Sequence, residues 1–281
     1  MMKLSRKNAD FFVPDDIEQV AALSRTTHLG VGAHQDDLEF MAMHGILTCF
    51  GVQDQWFSGV TVTDGAGSSR SGIYATYTDE EMCAVRCAEQ RNAAILGQYG
   101  AQLQLDYPSS AVKGEDQSEV VEDLYNILIA ARPQVVYTHN PADKHATHVG
   151  VCRALIKALR RLEPSQRPRQ VLGCEIWRDL DWLPDSIKVV LDVSERTNIS
   201  AALSGIFDSQ ITGGKRYDLA VAGRRKAHAT FFESHNVDQS DALSFAMDMT
   251  PLVDDDSLSI ADFVSDLIEQ FKAEVLAQVS G

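Results

Sequence analysis

Apolar runs of strand length alternate with longer amphipathic segments through the first two thirds of the chain. Such alternation is typical of an α/β protein whose parallel strands are joined by right-handed helical crossovers. The predicted strands are His28–Ala33, Trp56–Thr63, Gln102–Asp106, Gln134–Thr138, Leu172–Trp177 and Ile187–Asp192. The predicted helices are Leu38–Phe50, Asp79–Tyr99, Ser118–Ala131 and Thr147–Leu162.

The last third of the chain has a more helical pattern. Helices are predicted at Glu195–Asp208, at Tyr217–Glu233 and around Ser257–Val279, although Gly223 weakens the second of them. The chain contains no internal repeat and no linker rich enough in small or polar residues to indicate a domain boundary. We therefore expect residues 1–281 to form a single domain.

Two polar clusters follow predicted strands directly. His34-Gln35-Asp36-Asp37 follows the first strand, and a second cluster, from His139 to His148, follows Gln134–Thr138. In open α/β sheets, ligands bind beyond the carboxyl ends of the strands, so both clusters are expected to face one crevice. Imidazole and carboxylate groups are ligands that suit zinc or a related divalent metal. The pattern indicates one metal site divided between two parts of the sequence.

His34 and Asp37 are the expected ligands from the first cluster, and His148 is the natural third, since a catalytic zinc commonly takes three protein ligands. Asp36 would then stand beside the metal as the general base for a water held there. An aspartate pair at a helix start is also typical of an N-cap, and that structural interpretation stays open for Asp36.

His145 lies three residues before His148 in the second cluster. From there it would donate a hydrogen bond or a proton to a developing oxyanion or leaving group. Asp143 would either orient His145 or cap the helix that follows.

These motifs resemble those of the LmbE-like, or PIG-L, zinc-dependent N-acetylglucosaminyl deacetylases. AHQDDLE (Ala33–Glu39) is similar to the family's AHPDDE signature, and DKHATH (Asp143–His148) to its HPDH motif. The resemblance extends to VTVTDGAGSSR (Val60–Arg70) and VRCAEQRNAAILG (Val85–Gly97), so it covers roughly residues 28–150. It implies a Rossmann-like, three-layer α/β sandwich with a mainly parallel sheet.

The resemblance also implies roles for individual residues. His34, Asp37 and His148 match the zinc ligands, Asp36 the general base, and His145 the histidine that stabilises the oxyanion. Arg70 matches a substrate-contacting arginine. The pattern differs at Gln35, which replaces a proline, and at Ala146-Thr147, which replace Pro-Asp.

Two further acidic residues are candidate substrate contacts. Asp64 ends the run TVTD, where it would bond sugar hydroxyls or begin the glycine-rich turn. Glu175 stands near Trp177 in a polar and aromatic group suited to sugar binding, although tryptophans so placed also serve in packing.

The charge balance limits the classes of partner that the protein is expected to bind. With 25 basic and 40 acidic residues the net charge is −15, which argues against nucleic acid or an anionic membrane as the partner. The chain has no apolar stretch of the roughly 20 residues needed to cross a bilayer, and its five scattered cysteines favour reduced thiols. A cytoplasmic location is expected.

Together these features predict a metal-dependent hydrolase of linear amides that removes acetyl from an N-acetylglucosamine-type sugar or glycoconjugate. The cofactor would be Zn²⁺ or another first-row divalent ion such as Fe²⁺ or Co²⁺. One alternative is an amidase of the same family that cuts a larger acyl group from a glucosamine conjugate or natural product. A second is a non-catalytic homologue that binds sugar or metal.

Overall fold

The computed structural model describes residues 2–280, which form one sheet of eight strands covered by helices on both faces. The strands are β1 Asp10–Phe12, β2 His28–Gly32, β3 Phe57–Thr63, β4 Ala101–Tyr107, β5 Val135–His139, β6 Gln170–Cys174, β7 Lys188–Asp192 and β8 Leu243–Asp248. Their order across the sheet is β1-β4-β3-β2-β5-β6-β8-β7. The central five, β4-β3-β2-β5-β6, are parallel, whereas β1, β8 and β7 pair with their neighbours in antiparallel fashion.

The helices are more numerous than the sequence pattern predicts. They are α1 Gln19–Ser24, α2 Asp37–Met41, α3 Met43–Cys49, α4 Asp79–Leu96, α5 Ser109–Lys113, α6 Ser118–Ala131, α7 Ala146–Arg160, α8 Thr197–Gly205, α9 Asp208–Ile211, α10 Tyr217–Phe231, α11 Thr250–Asp254 and α12 Ile260–Ser280. Within residues 2–280, no helix has the length and apolar character needed to span a membrane.

The prediction of a mainly parallel α/β sheet is confirmed, and two strands are additions to it. The short edge strand β1 was not predicted. Nor was β8, which lies between β6 and β7 although the surrounding sequence reads as helical. All of β8 except its last residue is buried. The segment Leu243–Met247 therefore lacks the alternation of buried and exposed positions that indicates a strand with one face in solvent.

The predicted helix Leu38–Phe50 is divided into α2 and α3 at Ala42. Arg225, which is buried on α10, donates hydrogen bonds to the carbonyl oxygens of Glu39 at 3.1 Å and Phe40 at 2.8 Å. Those carbonyls would otherwise accept the backbone N–H groups four residues later, so the inserted guanidinium accounts for the break.

Two glycines in helices predict opposite effects on stability. A Cβ at Gly150 in α7 would lie 2.3 Å from the carbonyl oxygen of Val112, whereas a Cβ at Gly223 in α10 meets open space. We expect Gly150→Ala to lower the free energy of unfolding by about 1–3 kcal/mol through overpacking. Gly223→Ala should raise it by about 0.5–1 kcal/mol, because alanine loses less backbone entropy in a helix. Urea denaturation of both variants measures the difference, and a stabilised Gly150→Ala would contradict the packing.

Candidate metal and catalytic site

The two polar clusters meet at the carboxyl edge of the sheet. Strands β2 and β5 are adjacent and parallel, with Val31 paired to Thr138, and both end within a residue or two of that pair. The first cluster follows β2 and supplies His34, Asp36 and Asp37. The second begins with His139, the last residue of β5, and continues with Asp143, His145 and His148.

A metal ion could be held by a group that we call the metal triad, made up of His34, Asp37 and His148. Each of these residues offers a ligand atom within 4.8 Å of the others. The distance from His34 Nδ1 to His148 Nε2 is 3.3 Å, that from His34 Nδ1 to Asp37 Oδ2 is 3.3 Å, and that from Asp37 Oδ1 to His148 Nε2 is 3.5 Å. A tetrahedral ion with bonds of about 2.0–2.2 Å separates its ligand atoms by about 3.3–3.6 Å. The triad therefore fits a zinc-sized ion.

Neighbouring groups orient the triad. The Nδ1 of His148 lies 3.3 Å from Asp143 Oδ2, which leaves Nε2 facing the triad. Asp143 also accepts the backbone N–H groups of His145 and Trp177, and the bond from His148 offsets burial and keeps the pKa of Asp143 below its ordinary value. A carboxylate behind a ligand imidazole fixes its tautomer and raises its basicity.

We expect Asp143→Asn to weaken divalent-metal binding by about 10–100-fold while the fold is kept, since an amide orients His148 without the negative charge. Equilibrium dialysis against zinc buffers measures the affinity. Asp179→Asn serves as the control, because Asp179 is exposed and lies in the segment between β6 and β7. Unchanged affinity in Asp143→Asn would remove Asp143 from this role.

Asp36 stands at the start of α2 in a left-handed backbone conformation, with φ 96° and ψ −28°. Non-glycine residues rarely adopt this conformation, and it costs free energy where it occurs. The carboxylate of Asp36 makes no capping hydrogen bond to α2, so the structure does not support the N-cap interpretation. Instead Asp36 Oδ1 lies 3.5 Å from Arg86 Nη2 at the floor of a cavity. Burial raises the pKa of Asp36 well above its ordinary value, although Arg86 opposes the shift.

The surroundings of Asp36 are held by side chains from α4. Arg86 is buried and also donates to Gln35 O and Ser68 Oγ. Gln90 accepts the backbone N–H of Asp36 at 3.2 Å and donates to Glu39 Oε1 at 2.9 Å. Arg86 and Gln90 lie on the same buried face of α4 as Met82 and Ala93. Polar residues at core positions of a predicted helix are the signal in the sequence that points to a functional role for them.

His139 is a further residue for which the sequence predicted no role. It is fully buried at the end of β5, where its Nε2 accepts the N–H of Ala33 at 2.9 Å and its ring stacks on His148 at 3.9 Å. Burial lowers its pKa to about 4, so the ring is neutral near pH 7. His139 therefore supports the backbone before His34 and the face of a triad imidazole.

His145 lines the cavity beside the triad, with its ring centroid 5.1 Å from that of His34 and 4.5 Å from that of His148. Burial, followed by the neighbouring imidazoles, lowers its pKa to about 4. A neutral imidazole keeps one N–H to donate, so His145 can stabilise an oxyanion by hydrogen bonding.

The cavity has a volume of about 650 Å³ and opens above the triad and Asp36. Small residues of the loop after β3, including Gly65, Gly67 and Ser68, line it together with an apolar and aromatic group. That group comprises Phe40, Ile176, Trp177, Tyr217, Ala220 and Val221.

Three predicted substrate contacts lie apart from this cavity. Arg70 pairs with Asp79 and donates to the carbonyl of Ala66. Asp64 accepts the N–H of Ala66 in a tight turn and lines a separate cavity of about 410 Å³. Glu175 is buried, and its oxygens accept the N–H groups of Leu180 and Phe245 and contact His228 Nε2 at 3.0 Å. None of the three lines the cavity above the triad, and their role as substrate contacts stays a prediction.

Residues 29–159 match the family described as PIG-L, GlcNAc-PI de-N-acetylase. The match covers a little under half of the chain, which resembles the PIG-L family over these residues. The match spans both polar clusters and every member of the metal triad, and it supports a hydrolase of the deacetylase type. No curated protein sequence matches the chain.

Solved structures share the fold of this chain at low sequence identity. The 4-carboxy-2-hydroxymuconate hydratase of Pseudomonas putida has a TM-score of 0.61 at 17% identity, covering 79% of this chain and 95% of its own. The N,N′-diacetylchitobiose deacetylase of Pyrococcus horikoshii has 0.58 at 15% identity, covering 79% and 83%. The zinc-inhibited form of a teicoplanin deacetylase has 0.54 at 14% identity, covering 79% and 97%. Since a hydratase and deacetylases share it, the fold does not decide the reaction.

Proposed function

We propose that this protein is a metal-dependent N-deacetylase that acts on an N-acetylglucosamine-type sugar or glycoconjugate. The observation that carries the proposal is the arrangement at the cavity floor. There the ligand atoms of the metal triad lie 3.3–3.5 Å apart. Beside them are the carboxylate of Asp36, which makes no capping hydrogen bond to α2, and the neutral imidazole of His145. These are the parts that hydrolysis of an amide requires.

His34, Asp37 and His148 would hold a divalent ion, which would supply Lewis acidity for the acyl carbonyl and would lower the pKa of a water molecule toward about 7. Asp36 takes the proton of the attacking water as the new carbon–oxygen bond forms. The N–H of His145 stabilises the negative charge on the former carbonyl oxygen. Asp36 then returns the proton to the departing nitrogen, so the carbon–nitrogen bond breaks to give the free amine and acetic acid, which releases its proton to become acetate.

Arg86 sets the working state of Asp36 in this scheme. Its guanidinium lies 3.5 Å from Asp36 Oδ1 and favours the ionised form, whereas burial favours the protonated form. A carboxyl group balanced in this way serves both as the base for the water and as the acid for the amine. Asp143 and His139 act on the geometry of the triad instead.

The test is amine and acetate release from N-acetylglucosamine and its β-methyl glycoside by the purified protein loaded with zinc, cobalt or ferrous ion. Metal is added from substoichiometric amounts, because the zinc form of the teicoplanin deacetylase is an inhibited one. The expected result is amine and acetate in equal amounts. Absence of amine from every N-acetyl sugar tested would contradict the proposal.

An amidase that removes a larger acyl group is the second candidate, and the cavity favours it. A volume of about 650 Å³ with an apolar and aromatic lining exceeds what an acetyl group fills. N-octanoylglucosamine distinguishes the two candidates when it is assayed beside N-acetylglucosamine. A higher kcat/KM for the octanoyl amide would replace the deacetylase assignment with the amidase. Binding of these sugars without release of amine from either would favour the non-catalytic homologue.

A further inference from the structure

Three cations line the cavity without a carboxylate partner. They are Lys113 at the end of α5, Lys215 before α10, and Arg224 within α10. Within residues 2–280 none of the three forms an ion pair with an aspartate or glutamate. In a chain with a net charge of −15, a cavity with unpaired positive charge differs from the surface around it.

The carboxylates that line the cavity do not neutralise these cations. They are Asp36 and Asp37, and both have nearer partners. Asp36 lies beside the buried Arg86, while Asp37 contacts His139, His148 and His34. The charge on Lys113, Lys215 and Arg224 is therefore free to act on whatever occupies the cavity.

Two of the cations are placed close to the catalytic groups. Arg224 donates to the carbonyl of Ile176, which holds its guanidinium beside the 176–177 segment. The ammonium of Lys215 lies 5.7 Å from the ring centroid of Trp177. The same ring stands 5.7 Å from that of His145. Lys215 and Arg224 thus lie near Trp177, an aromatic side chain that lines the cavity next to His145.

We propose that the substrate carries an anionic group, a phosphate or a carboxylate, that binds between Lys215 and Arg224 beside Trp177, with Lys113 adding to the positive potential. The inference rests on the proposed function, since it assigns the substrate class of that same site. Guanidinium and ammonium groups bind such anions through charge-assisted hydrogen bonds. The acidic surface repels anions elsewhere, so the cavity is the place where an anionic sugar gains most.

The test measures binding rather than turnover, so that it stands apart from the proposed function. Calorimetry on zinc-loaded Asp36→Asn compares N-acetylglucosamine with N-acetylglucosamine 6-phosphate and N-acetylmuramic acid. We expect at least one anionic sugar to bind about tenfold more tightly than the neutral sugar, and which one it is separates phosphate from carboxylate. Equal or weaker binding of both anionic sugars would overturn the inference, whether or not the wild type hydrolyses an amide.

Variants assign the preference to these cations. The double variant Lys215→Gln, Arg224→Gln should lower the ratio of anionic to neutral affinity by about tenfold, and salt should lower it in the unsubstituted cavity. Lys226→Gln, an exposed change on α10 that does not line the cavity, should leave the ratio unchanged. If the ratio of anionic to neutral affinity stayed unchanged in the double variant and at high salt, the assignment to Lys215 and Arg224 would be wrong.

Discussion

Replacement of Asp36 by asparagine is expected to lower kcat for amide hydrolysis by about 10²–10⁴-fold, the range that a positioned general base contributes. The change removes the group that takes the proton from water but keeps the size of the side chain. Asparagine also tolerates the left-handed backbone that Asp36 adopts, with φ 96°. The variant should therefore keep its fold and bind one divalent ion as the wild type does. Initial rates of amine release, with metal content measured on the same preparation, test this result.

Asp54→Asn is the matched control for Asp36→Asn. Asp54 is also an aspartate with positive φ, at 61°, but it is exposed and lies in the turn before β3, away from the cavity. Its replacement should leave kcat unchanged, which separates the loss of a base from any effect of an asparagine in a left-handed turn. If Asp36→Asn kept more than about a tenth of the wild-type kcat, Asp36 would not be the general base.

His148→Ala is expected to have the second large effect, the loss of metal binding together with activity. His148 is fully buried, faces the triad through Nε2 and is held from behind by Asp143. Its removal leaves two protein ligands, fewer than catalytic zinc sites use. The affinity for zinc should therefore fall by at least about 100-fold, more than is expected from the loss of a group that only supports a ligand, such as Asp143. Competition of the protein with a zinc chelator measures the change.

His28→Ala is the control for His148→Ala. His28 is a half-buried imidazole at the opposite end of β2, where it contacts Thr27 and Cys49 rather than the cavity. Its loss alters packing by a comparable volume and should leave zinc affinity unchanged. Equal zinc affinity in His148→Ala and in the wild type would show that the ion binds elsewhere.

Much of the parallel core could be predicted because β2, β3 and β5 are largely apolar runs, each followed by a helical pattern. β8 could not, since Leu243–Met247 is buried on both faces and pairs with β6, about seventy residues away in sequence. The break between α2 and α3 could not be predicted from the sequence either. It depends on Arg225, which lies nearly two hundred residues further along the chain.

The convergence of the two polar clusters followed from a general rule, because the carboxyl ends of adjacent parallel strands meet at one edge of the sheet. The supporting residues were harder to predict. Arg86 and Gln90 are polar residues on the buried face of α4, and only the position of that helix shows that they point to Asp36. Arg70 and Asp64 lie in or next to a glycine-rich loop whose path the sequence does not determine, and the structure turns both toward local partners.

The measurement that tests the central claim most directly is the dependence of amide hydrolysis on bound metal. The protein is stripped with a chelator, and zinc is returned in steps while amine release from N-acetylglucosamine derivatives is followed. The account predicts no activity in the stripped protein and a rise that ends at about one ion per chain, since the triad provides one set of ligands. Hydrolysis at the full rate by the stripped protein would contradict it.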